Sequence, residues 1–108
     1  MESFERREAG FERKFAHDEE LKFKATARRN RLLGNWAAEK LGLSGADADA
    51  YARDVVKANF EAPGDEDLVH KLRTDFGAKN IALSDHQIHR TMEELLAKAV
   101  EQIQAEKS

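Results

Sequence analysis

Residues 83–103 read LSDHQIHRTMEELLAKAVEQI, and the way this stretch folds decides the rest. Ser84 is a favoured N-cap residue, and Gln87 three positions on completes a capping box. Leu83 before the cap and Ile88 after it have the spacing of a hydrophobic staple. These signals predict a helix that begins at Asp85. From there Ile88, Met92, Leu95, Leu96, Ala99, Val100 and Ile103 recur at three- and four-residue intervals for about five turns, with Glu93, Glu94, Lys98 and Glu101 off the stripe. An apolar stripe this long must be covered by other elements.

Working back along the chain, each stretch that could cover it is also helical. Residues 18–41 read as a long helix with Leu21, Ala25, Leu32, Leu33, Trp36, Ala37 and Leu41 mostly on one side. Gly34 in its middle weakens the helix but lets a neighbour approach closely beside Trp36, and Gly42 is placed to end it as a left-handed cap. A second helix opens near Ser44 and Asp47, which have capping-box spacing, and Asp47 and Asp49 suit the positive end of its dipole. Ala48, Tyr51, Ala52, Val55, Val56 and Phe60 give its buried face. The stretch EAPGDED, residues 61–67, holds the single proline and breaks the chain. A third helix over residues 65–76 turns Leu68, Val69, Leu72 and Phe76 inward, with Gly77 as its stop. Four helices joined by short loops, each with one apolar stripe, predict an all-α fold: a small four-helix bundle spanning residues 18–106.

Composition agrees. The chain has 108 residues, enough for one core, and 36% are charged, while Tyr occurs once and Val and Ile are scarce, so strands have little to build with. A formal net charge of -3 provides no general basic field for nucleic acid. With 0 cysteines, disulfides and thiolate sites are excluded and a reducing, cytoplasmic setting is expected. No run approaches the roughly 18 apolar residues of a membrane span, so no direct membrane insertion is expected.

Chemistry-bearing residues are sparse. His86, His89 and Glu93 lie one turn apart on one helix face, a spacing that can offer metal ligands, but a helix start on a wet surface explains them as well. Asp65, Glu66 and Asp67 are the acids a helix N-terminus selects, and His17 and His70 have no companions for base work. Arg28, Arg29 and Arg31 suggest phosphate binding, yet acids nearby favour an exposed face or a protein partner. There is no glycine-rich phosphate loop and no nucleophile placed beside a base. The expectation is therefore no enzyme, no catalytic residue, no metal, no cofactor and no nucleic acid.

Residues 1–17 stand apart. The phrase FERREAGFERKFAH, residues 4–17, repeats Phe-Glu-Arg at a seven-residue interval and adds Phe15 one turn beyond, so Phe4, Phe11 and Phe15 would share one side of a helix. Gly10, the dense charge and the short length make such a helix marginal alone. The stripe either folds back onto this protein or is offered to another; its terminal position, Gly10 and dense charge favour a mobile arm whose rings dock on a partner, since burying a Phe is worth roughly 1.5 to 3 kcal/mol and the predicted core is filled without them.

FERKFAHDEELKFKATARRNRLLGNWAAEKLG, GDEDLVHKL and SDHQIHRTMEELLAKAV together resemble the zeta subunit of alphaproteobacterial F-type ATP synthases, over nearly the whole chain. The most distinctive piece runs from Lys14 to Gly34. The resemblance implies a four-helix protein that inhibits ATP hydrolysis by the catalytic head, the alpha, beta and gamma subunits, at the cytoplasmic face of the inner membrane. It implies that residues 2–17 become helical as they wedge between catalytic and non-catalytic subunits near the central stalk. Phe4, Phe11 and Phe15 correspond to the anchors, and Arg6, Arg7, Arg13 and Lys14 to charge partners. Gly10 stands where the family usually has a better helix former. Weak ATP or ADP binding is credited to some members, so a nucleotide-sensing bundle with little inhibition is the alternative, and no residues here locate such a site.

Overall fold

The computed structural model describes residues 19–61 and 64–107. Four helices follow in order: α1 (Glu19–Lys40), α2 (Gly45–Glu61), α3 (Asp65–Ala78) and α4 (Asp85–Lys107). No strand occurs among the described residues, and the all-α bundle expected from the periodicity is the fold. No helix among them is long and apolar enough to cross a membrane.

The start of α4 forms as its local chemistry dictates. Gln87 N–H donates to Ser84 Oγ at 3.2 Å and Ser84 N–H donates back to Gln87 Oε1 at 2.9 Å, the two halves of a capping box. Leu83, half-buried, packs on the core cluster that holds Ile88. At the end of α1, Gly42 has φ 77, and the bonds from Leu43 N–H to Ala38 O (2.9 Å) and Gly42 N–H to Glu39 O (3.1 Å) make a Schellman cap. Ser44 enters α2 through its backbone, its carbonyl accepting from Ala48 N–H at 3.4 Å.

The stop of α3 differs from the sequence expectation. Gly77 stays inside the helix, and Asn80 takes the left-handed position at φ 59, with Ile81 N–H bonding back to Phe76 O at 2.9 Å. Asn tolerates that conformation better than most residues because its short amide can bond locally. Ile81 gains by the arrangement, since the cap turns it back onto the core beside Phe76.

The core has two parts. The larger gathers Leu33 and Ala37 of α1, Val55 of α2, Leu68, Val69, Leu72 and Phe76 of α3, and Ile88 and Met92 of α4. Phe76 is its largest fully buried side chain, and Trp36 meets it edge-on, with ring centroids 5.7 Å apart and planes at 89°. That geometry adds about 0.5 to 1.5 kcal/mol to simple burial. The smaller part joins Leu21 and Ala25 of α1 to Val100 and Ile103 of α4. Gly34 explains how α1 and α2 come so close: a Cβ there would lie 2.6 Å from the Cα of Ala52.

The two parts arise because α1 has 22 residues and α2 only 17. The helices are antiparallel neighbours that touch at Gly34 and Ala52, and eight residues beyond that point α2 reaches Phe60 while α1 runs back to Thr26. The first turns of α1 therefore extend past the end of α2 and keep α4 as their neighbour. Phe60, expected on the buried face, is 73% exposed for this reason.

Candidate functional site

The uncovered flank of α1 forms a groove of about 490 Å³. Glu19, Lys22, Phe23, Thr26, Ala27 and Asn30 line it from α1. Val56, Asn59 and Phe60 close it from α2. Phe23 is 63% exposed, so the two large rings on its walls are both left in water. An amide clasp closes its inner end: Asn30 Nδ2 donates to Asn59 Oδ1 at 2.8 Å, and Asn59 Nδ2 reaches Gly64 O at 3.4 Å.

Behind the clasp sits a buried cation. The Arg29 guanidinium, 6% exposed, donates twice to Asn30 Oδ1, at 3.1 and 2.8 Å, and to Asp65 Oδ1 at 3.1 Å. The network ties α1 to α2 and to the first residue of α3, and it satisfies a charge that burial would otherwise make costly. Among the described residues no buried side-chain polar atom lacks a partner.

The basic run of α1 faces acids of the other helices. Arg28 makes a two-pronged contact with Glu106 near the end of α4, one prong at 2.9 Å, and Arg31 lies 3.8 Å from Asp49. The hydrogen bond with Glu106 raises the affinity of Arg28 for its proton, and the same bond holds the Glu106 carboxyl below the usual carboxylate range. Both groups are open to solvent, so the pair adds little stability but sets where α4 lies against α1. Asp65, expected only as a dipole partner, turns out to be the counter-ion of Arg29.

At the other flank Tyr51 donates to Asp75 Oδ2 at 2.7 Å, and Lys71 bonds the same oxygen at 3.0 Å with its ammonium 5.1 Å above the Tyr51 ring. Burial first, and then the bond to Asp75, push the Tyr51 hydroxyl far above its ordinary value. His86 is exposed and His89 half-buried, and among the described residues no three His, Asp or Glu side chains gather closely enough to hold a metal.

The residues singled out for partner binding, Phe4, Arg6, Arg7, Phe11, Arg13, Lys14 and Phe15, lie outside the described residues. The groove itself was not foreseen. Its available signal was Phe23, a large ring off the stripe marked by Leu21 and Ala25.

A closed helical core with an open apolar groove along one flank defines a protein of the small α-helical bundle class. The sequence pattern of the family described as ATPase inhibitor subunit zeta matches residues 1–102, so the chain belongs to that family. A solved structure titled "Solution NMR structure of the protein" is 44% identical with a TM-score of 0.69, and the match covers 80% of this chain and 98% of the other. None of the curated proteins matches the chain. The family assigns an inhibitor role toward ATP synthase.

Proposed function

We propose that the chain restrains ATP hydrolysis by the catalytic head of an F-type ATP synthase by inserting residues 2–17 between catalytic and non-catalytic subunits near the central stalk. Phe4, Phe11 and Phe15 are the apolar anchors, and Arg6, Arg7, Arg13 and Lys14 pair with acids of the alpha, beta or gamma subunits. The bundle from about residue 18 onward holds and positions the arm, at the cytoplasmic face of the membrane that carries the synthase.

One observation carries this reading: the four helices fill their core with their own residues, while the family's sequence pattern extends through the Phe stripe to residue 1. Ordering the arm costs about 1 to 2 kcal/mol of backbone entropy per residue, so it must bury its rings to bind, and the block stays reversible. A peptide of residues 1–20 is expected to slow hydrolysis by the isolated catalytic head in a dose-dependent way. Hydrolysis unaffected by the peptide, with the full chain inhibiting, would place the inhibitory contacts on the bundle instead.

A further inference from the structure

We propose that the groove between α1 and α2 is a docking site for this chain's own arm, which lies there antiparallel to α1 when it is not engaged with the catalytic head. The proposal rests on the reading of residues 2–17 as the inhibitory segment and adds a parked state to it.

The arm and the groove match in length. Phe4 and Phe15 are eleven residues apart, and so are Glu19 and Asn30, the first and last α1 residues along the groove. Either span, as helix, is about 16 Å. Ala16, His17 and Asp18 separate Phe15 from Glu19, and a helical hairpin closes through a loop of roughly two to five residues. Asp18 is also of the type that caps a following helix, which suits a reversal there.

They also match in chemistry. The groove offers two large rings, Phe23 and Phe60, with no apolar cover in the bundle, and the arm offers three on one stripe. In the antiparallel pose its charged mouth, Glu19 and Lys22, would meet the end of the arm that carries Glu12, Arg13 and Lys14. The arm starts where the groove starts, so its effective concentration there exceeds that of any free partner. Parking and insertion use the same three rings and exclude one another, which makes the groove a brake on inhibition.

The test uses the full chain. Its 0 cysteines allow a spin label at a single introduced thiol, Ala9→Cys, off the Phe stripe. The amide signals of Thr26, Ala27, Val56 and Asn59 are expected to lose most of their intensity, and those of Gly42 and Gly45 at the opposite end to keep theirs. The double variant Phe23→Asp with Phe60→Asp, both at exposed positions, should restore the lost signals. No loss at the groove, a loss that survives the double variant, or a loss seen only between spin-labelled and isotope-labelled copies mixed together would overturn the proposal; the last outcome would mean that a second copy fills the groove. Without the brake, the concentration of the double variant that halves ATP hydrolysis should fall several-fold; an unchanged or higher value overturns the brake. Insertion is judged separately: if charging Phe4, Phe11 and Phe15 leaves inhibition intact, that reading fails whatever the amides report.

Discussion

Gly34 is the residue on which the α1–α2 pairing turns. Gly34→Ala would gain about 1 kcal/mol of helix propensity, but the added methyl would stand 2.6 Å from the Ala52 backbone, with no flexible side chain to yield. Overpacking of this kind costs about 1 to 3 kcal/mol, so chemical denaturation should find the variant less stable despite its better helix former. Tyr51 gives a pH signature. Its proton is held more tightly folded than unfolded, so stability is complete below the unfolded value of about 10 and falls as pH rises above it. As the chain's one tyrosine, its phenolate absorbance can be followed alone: it should rise only with unfolding, and Tyr51→Phe should flatten the alkaline loss. The tight spot at Gly34 was legible in the sequence because glycine inside a helix demands a reason. The bond from Tyr51 to Asp75 was not, since its partners are 24 residues apart and on different helices.

At the scale of the element, what is local was legible. The start of α4 follows from Ser84 and Gln87 alone, and Ser84→Ala should cost about 1 kcal/mol by removing the cap, measured as a lower melting temperature with the helix otherwise intact. The start of α3 at Asp65 was legible from the proline and glycine before it, but its tie to α1 was not. Arg29 reads as one of three basic residues on a wet face, and only the packed bundle shows it buried against Asn30 and Asp65. Arg29→Ala should therefore destabilise by about 1 to 3 kcal/mol, far more than Arg31→Ala, whose side chain is half exposed and 3.8 Å from its partner. Phe60 shows the opposite error. Its spacing fits the buried face of α2, but burial depends on where the neighbouring helix and the next turn go, and α2 ends beside a flank of α1 that no other described helix covers. The groove was invisible to periodicity for the same reason: it is a difference in length between two helices.

For the molecule as a whole, the four helices form a scaffold with a two-part core drawn from residues of α1 to α4. Long helices α1 and α4, pinned at one end by Leu21, Ala25, Val100 and Ile103 and by the contact of Arg28 with Glu106, carry the chain from the core to the place where the arm begins. A scaffold of this kind tolerates change in its arm. Replacing Phe4, Phe11 and Phe15 together by Asp should leave the four helices folded, with the loss in unfolding free energy confined to the parked state's own contribution, about 1 kcal/mol, while removing the apolar area that insertion requires. The most direct measurement is the rate of ATP hydrolysis by the purified catalytic head with this full-length triple variant beside the parent chain. Inhibition by the parent and near-uninhibited hydrolysis with the variant are expected at equal concentration and equal fold; equal inhibition by both would contradict arm insertion.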